Sequence, residues 1–179
     1  MPLCYDQNIP VHKLKRGAIH EAGHFSVAYR YNPRRAVSIR VGSSPAVDAE
    51  TGAPYSSFGQ TVTWDLDGSL PGVLVAIRAA GLAAESLIYE EPYEHLMSAA
   101  DVNWVIKTDL DNAKQDLYRN GLLFGPNDPT FPEFWRMGFS NAMSMLQDSE
   151  DELHAIADYC IANLGREIPR AELVANIGL

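Results

Sequence analysis

A proline-free stretch near the start of the chain, Lys13 to Tyr31, most strongly constrains the fold. Small and apolar residues recur there at helical spacing, and Pro33 cannot continue a helix, so we predict one helix that ends just before it. The middle of this helix carries His20, Glu21 and His24, in a chain with only five histidines. Because residues four apart lie on the same helix face, both imidazoles can point at one position.

The H-E-x-x-H pattern of these residues is typical of a zinc site that hydrolyses peptide bonds. His20 and His24 would bind Zn²⁺ through their ring nitrogens, and Glu21 would act as general base toward the water that the metal activates. Gly23 costs about 1 kcal/mol relative to Ala in a helix interior, which close packing beneath the site would explain. The alternative is a pair of histidines at the surface or core edge with a solvated acid, and chance rarely produces this pattern.

The third metal ligand has to come from elsewhere in the chain, since a catalytic zinc usually takes three protein ligands. Asp101 lies in the first turn of a predicted helix, but Ser98 to Asp101 also matches an S-x-x-D capping motif. Asp109 lies near the middle of the apolar stripe of that helix, so it is either a buried acid with a partner or a sign that the stripe is shifted. Spacing leaves four candidates open: Glu85, His95, Asp101 and Asp109.

The remaining pattern predicts a single, mainly α domain over residues 1–179, with a small β-hairpin or sheet directly after the first helix. Arg35–Val41 and Phe58–Trp64 alternate apolar and polar residues and are predicted as its strands. Residues 1–12 are predicted as an N-terminal arm and residues 42–57 as a long loop. Five further helices are predicted within the segments Asp67–Glu91, Ser98–Gly121, Glu133–Asp148, Ser149–Gly165 and Pro169–Ile177.

The charge of the chain argues against nucleic acid as a partner, because its formal net charge is −9. The basic runs His12–Arg16 and Asn32–Arg35 are predicted as solvated helix ends. Cys4 and Cys160 are too few and too far apart for a disulfide framework, which indicates a reducing compartment. We find no signal-peptide pattern and no apolar run near the roughly 20 residues of a membrane span, so we expect a cytoplasmic protein without a membrane partner.

Four segments of the chain resemble the peptidase domain of the FtsH-type ATP-dependent zinc metalloproteases. The first, HEAGHFSVAY, is similar to the zinc helix of that family, and AVSIRV with FGQTVTW is similar to its short β element. The segments AAGLAAESLIYEE and HLMSAADVNWVI resemble its next two helices, and MSMLQDSEDELHAIADYCIANLGREIPRAEL resembles its C-terminal helices. The resemblance implies a zinc-metallopeptidase helical domain with Zn²⁺ as cofactor.

The resemblance also implies a third ligand. In that family the ligand is an aspartate that opens the helix after the A-A-E segment, which implies Asp101 in this chain, with Glu85 as a supporting acid. Two positions depart from the family pattern. The expected Gly-Gly-Arg before A-A-E reads Ala-Gly-Leu at residues 80–82, and Ala100 stands at the asparagine-like position before the aspartate.

The leading prediction is a zinc metalloendopeptidase in which His20, His24 and Asp101 bind Zn²⁺ and Glu21 is the catalytic base. The ATPase module and membrane helices of the family have no counterpart in this sequence, so we expect ATP-independent cleavage of peptides or unfolded segments. The alternatives are a zinc-binding scaffold or adaptor with little peptidase activity, and a peptidase subunit that works with a separate ATPase. A homo-oligomer also stays open as an assembly.

Overall fold

The fold is mainly helical, as the sequence predicts. A computed structural model describes residues 11–42, 45–47, 54–56, 59–63, 70–98, 104–125 and 127–179, in which there are seven helices and five short strands. The helices are α1 (Val11–Tyr31), α2 (Pro71–Tyr89), α3 (Tyr93–Ser98), α4 (Trp104–Arg119), α5 (Phe131–Leu146), α6 (Glu150–Ala162) and α7 (Arg170–Ile177). The strands are β1 (Ala36–Val41), β2 (Pro45–Val47), β3 (Pro54–Ser56), β4 (Gly59–Thr63) and β5 (Ile168–Pro169).

The helix boundaries follow the local sequence, with one correction. Helix α1 ends before Pro33, and α2 begins at Pro71, where a missing N–H costs no hydrogen bond. Ser98, predicted as the N-cap of the third helix, instead ends the short helix α3, and its hydroxyl donates to the carbonyl of His95 at 2.7 Å. Helix α3 was not predicted, because six residues are too few to show a period.

The small sheet after α1 confirms the predicted strand pair. Strands β1 and β4 run antiparallel, with Val41 opposite Gly59, and β5 adds a third strand on the other side of β1 in the order β4-β1-β5. The segment 42–57, predicted as a long loop, contains the antiparallel pair β2 and β3. The predicted arm, residues 1–12, lies outside the described residues except for its last two positions, which belong to α1.

Helix α2 forms the centre of the core and packs against α1, α4 and α5. Eleven consecutive or near-consecutive residues of α2 are buried, from Leu74 to Glu85. Helix α1 approaches α2 very closely at Gly23, where a Cβ would lie 2.3 Å from the carbonyl oxygen of Ala80 and 2.6 Å from the Cβ of Ala84. This contact explains the glycine in the interior of α1 and brings the H-E-x-x-H residues against α2.

The prediction that no apolar run has the length of a membrane span is wrong for α2. Among the described residues, α2 is the one helix whose length and composition would suit a span, with 19 residues and a mean hydropathy of 1.5. Inside the fold, 61% of that apolar window is buried against other elements. Burial of this kind is typical of the core helix of a globular domain, which passes the same test. The absence of a membrane partner therefore stays a prediction.

Candidate metal centre

Three side chains from two helices converge at one point beside α2. His20 and His24 come from α1 and Asp109 comes from α4, and their ligand atoms all lie within 4.8 Å of one another. The Oδ2 atom of Asp109 lies 2.9 Å from Nε2 of His20 and 3.2 Å from Nε2 of His24. The two Nε2 atoms lie 3.1 Å apart. Ligand atoms at about 2.0–2.1 Å from a tetrahedral zinc are separated by about 3.3 Å, close to these spacings.

The opposite nitrogen of each histidine faces an acceptor, which decides what the Nε2 atoms can do. His20 Nδ1 donates to Oε1 of Glu85 at 2.7 Å, and His24 Nδ1 donates to the carbonyl oxygen of Ile77 at 2.7 Å. In its neutral form, each ring would therefore present a lone pair on Nε2. Two such lone pairs and a carboxylate oxygen repel one another at this distance, so the arrangement favours a positive charge between them, either a metal ion or a proton. The donor set of two imidazoles and one carboxylate suits zinc.

One face of α2 supports both histidines. Ile77, Gly81 and Glu85 are spaced four residues apart, so they follow one another along the side of α2 that faces α1. Ile77 and Glu85 accept the two hydrogen bonds from the histidines, and Gly81 leaves room for the ring of His20. A Cβ at Gly81 would lie 2.3 Å from Nε2 of His20. The position of the ring therefore depends on the absence of a side chain at residue 81.

The charges around His20 also favour a cation at the convergence point. Burial by itself would lower the pKa of His20, but the carboxylates of Asp109 and Glu85 raise that pKa well above its usual value. Burial would raise the pKa of Asp109, yet His24 and His20 hold it well below its usual range. In the metal-free protein a proton on imidazole can supply the positive charge that the carboxylates require.

Glu21, the predicted general base, lies in a slot formed by strand β4. Thr61 donates a hydrogen bond from its hydroxyl to Oε2 of Glu21 at 2.7 Å. Gly59 lies two residues earlier on the same face of the strand, and a Cβ there would lie 2.2 Å from Cγ of Glu21. The glutamate is 7% exposed, and its burial raises the pKa of its carboxyl group. The slot holds a carboxylate beside His20 and His24.

The predicted residues divide into those that meet at this site and those that do not. His20, Glu21 and His24 lie together as their spacing predicts. Asp109, one of the four candidates for third ligand, joins them, whereas Asp101, the candidate that the family resemblance favours, lies outside the described residues.

The other two candidates occupy different positions. His95 is exposed on α3. Glu85 lies on the far side of the His20 ring from Asp109 and contacts Nδ1 instead of Nε2. In sequence, the signal for Asp109 is an acid placed within the apolar stripe of its helix, which needs a partner when it is buried. Spacing could not show that this partner is the histidine pair.

Two contributors to the site were not predicted. Thr61 gave no signal, because threonine is common in strands for its β-branched shape alone. Arg16 was placed in a solvated basic run, but its guanidinium instead pairs with Glu85 and Glu91. Its neighbour Lys15 also forms an ion pair, with Asp158 on α6. The prediction of a solvated helix end is therefore wrong for Arg16, whose partners lie 69 and 75 residues away in sequence.

Comparison with known proteins does not assign the chain to a family. No protein-family model matches the chain, and a search of curated proteins finds no match. The function therefore has to be inferred from the site itself.

Proposed function

We propose that this chain is a zinc-dependent metallopeptidase that cleaves peptides or unfolded segments. The observation that supports the proposal most is the convergence of three acceptor atoms, from His20, His24 and Asp109, next to the buried carboxylate of Glu21. We assign the metal to these three side chains, with Asp109 instead of Asp101 as the third ligand. A zinc ion bound there would act as a Lewis acid toward the peptide carbonyl and the attacking water.

Glu21 has the role of general base and later of general acid. Thr61 binds Oε2 of Glu21, and Oε1 is the oxygen that would take a proton from water and pass it to the leaving amine. A carboxylate anchored through one oxygen keeps the other in a constant direction. The close approach of Gly59 restricts the rest of the Glu21 side chain.

Strand β4 offers a surface for the substrate. In the part of the chain that the structure describes, β4 lies at the outer edge of its sheet and carries Gly59 and Thr61 beside Glu21. An extended peptide that adds to such an edge gains main-chain hydrogen bonds whatever its sequence. The proposed substrates are therefore peptides and unfolded segments, which can adopt an extended conformation.

The proposal is tested with the purified protein by metal analysis and cleavage of casein. We expect about one zinc per chain and cleavage without ATP. Glu21→Gln should keep its zinc and lose at least about 100-fold in cleavage rate, as expected when a general base is removed. Glu94→Gln, which changes an exposed glutamate on α3, is the control and should cleave like the wild type.

Aspartate variants test the ligand assignment in the same assay. Asp109→Ala should lose zinc, while Asp111→Ala, at a position 53% exposed on the same helix, should keep it. Asp101→Ala should also keep it. Zinc retained by Asp109→Ala and lost by Asp101→Ala would contradict the assignment. If the wild type binds zinc but does not cleave casein, the scaffold alternative is favoured. If the wild type binds no zinc, the proposal is wrong.

Removal of the metal provides a readout that does not depend on activity. A ligand present at about 1,000 times its dissociation constant stabilises the folded state by about 4 kcal/mol. We therefore expect a chelator to lower the melting temperature of the wild type and to leave that of Asp109→Ala unchanged. An equal effect of the chelator on both proteins would contradict binding at this site.

A further inference from the structure

Arg16 connects the candidate metal centre to the turn that follows α2. It lies one helical turn before His20 on α1, and its Nε donates to Oε2 of Glu85, the residue whose other oxygen accepts from His20. Its two terminal nitrogens donate to both oxygens of Glu91 at 3.0 and 2.6 Å. We infer that Arg16 is a positioning residue for the zinc site, acting on His20 through Glu85. This inference rests on the proposed zinc site.

The burial of Glu85 makes it dependent on Arg16. The Glu85 side chain is only 4% exposed, so its carboxylate has to be satisfied inside the protein. One oxygen is used by Nδ1 of His20 and the other by Arg16. Without the guanidinium, a buried charge would keep an unpaired oxygen, which is costly. The side chain of Glu85 would then turn toward water and release the ring of His20.

Arg16 is itself held in a constant position, as a positioning residue must be. Its fork binds Glu91 through two parallel hydrogen bonds, and its guanidinium lies 5.0 Å from the centre of the Tyr89 ring. The backbone at Glu91 is fixed in turn, because Ser86 donates its hydroxyl to the carbonyl of that residue at 2.6 Å. The planar fork cannot be reproduced by lysine, which carries a point charge.

The experiment measures the zinc affinity of the full chain by competition with a chromophoric chelator. Arg16→Gln should bind zinc about 10–100-fold more weakly than the wild type, the range expected when a partner that orients a metal-binding histidine is lost. Arg16→Lys should recover part of this loss. Lys15→Gln is the matched control, since it breaks the neighbouring ion pair with Asp158, and its affinity should stay within about twofold of the wild type.

A second variant covers the case in which Arg16→Gln does not fold. Glu91→Gln leaves Arg16 and Glu85 in place but removes the charge that holds the guanidinium, so its affinity should fall by about threefold to tenfold. The melting temperatures of the zinc-free proteins show whether a variant loses zinc affinity because its ligand geometry changes or because the whole fold is less stable. Arg16→Gln and Lys15→Gln should both melt below the wild type, and only the first should lose zinc affinity.

Two outcomes overturn the inference, and they are distinguishable from each other. If wild-type protein binds zinc and both Arg16→Gln and Glu91→Gln bind it within about twofold as well, Arg16 has no positioning role and the proposed function stands. If wild-type protein binds no zinc, the proposed function fails and the inference fails with it.

Discussion

Helix α2 packs against α1 on one face and against α5 on another, and both contacts need a glycine. At the first, Gly81 of α2 faces the ring of His20. At the second, Gly138 of α5 faces Val75, where an added Cβ would lie only 2.5 Å from Cγ1 of that valine. Both glycines allow close packing. They differ in the neighbour that takes the space, a histidine of the candidate metal centre in one case and an aliphatic side chain in the other.

This difference teaches how one core can combine stability with chemistry. The contact with α5 buries apolar groups such as Trp135 and Ala142. Their contribution to stability depends on the volume that they fill and the apolar area that they bury. The contact with α1 buries His20, His24 and Glu85, whose contribution depends on hydrogen bonds in fixed directions. We expect changes in the first contact to affect stability alone and changes in the second to affect zinc binding as well.

Gly81→Ala should have the largest effect on the site. The added Cβ would lie 2.3–2.6 Å from three atoms of the His20 ring, and that ring is buried and anchored by Glu85, so it cannot move without losing its hydrogen bond. We expect zinc affinity to fall by about 100-fold, measured by chelator competition. Wild-type affinity in this variant would show that the ring tolerates displacement.

Gly138→Ala should separate stability from zinc binding. The new Cβ would lie 2.5–2.8 Å from atoms of Val75, and overpacking of this kind costs about 1–3 kcal/mol in the free energy of unfolding. Urea unfolding of the metal-free protein measures that cost, and zinc content should stay at the wild-type level. Gly72→Ala is the control, because its nearest neighbour, Nδ2 of Asn141, would be 3.4 Å away. A loss of zinc in Gly138→Ala would abolish the contrast between the two faces.

Thr61→Val tests the contact between α1 and strand β4, which lies on a different side of α1 from α2. The variant keeps the β-branched shape and removes the hydroxyl that binds Glu21, so we expect kcat for casein cleavage to fall by about tenfold with zinc content unchanged. Thr61→Ser should restore most of the rate. Thr63→Val, two residues along the same strand face, is the matched control and should act like the wild type. An unchanged kcat in Thr61→Val would remove Thr61 from the mechanism.

The smallest signal is expected from thiol labelling of Cys160, on helix α6. Burial, together with the negative charge of Glu21, raises the pKa of Cys160 to about 12, so its thiol stays protonated near neutral pH. In a Cys4→Ser background, a thiol reagent should label Cys160 only after unfolding. Rapid labelling of the native protein would show that this part of the core opens readily.

Much of the fold could be predicted because its signals are local. The helical periodicity of residues 13–31 and the proline at position 33 predicted helix α1, which the structure contains. The alternating segments predicted strands β1 and β4, which are paired. The short elements α3, β2, β3 and β5 were not predicted, since two to six residues carry too little pattern to separate them from loops. Their formation depends on contacts made elsewhere in the chain.

The residues of the candidate site also divide into those that local spacing predicts and those that only tertiary packing brings together. The sequence by itself determined that His20 and His24 share a helix face with Glu21 beside them, because four residues make about one helical turn. Only the tertiary structure decided that Asp109 reaches both imidazoles, because that contact depends on where α4 begins and how it packs against α2.

The supporting residues were also decided by the tertiary structure. Arg16 contacts Glu85 and Glu91 across more than 60 residues of sequence, and Thr61 contacts Glu21 across 40. Spacing along a helix places side chains that are one or two turns apart. Groups this distant in sequence meet through the packing of whole elements, which depends on every residue in the core.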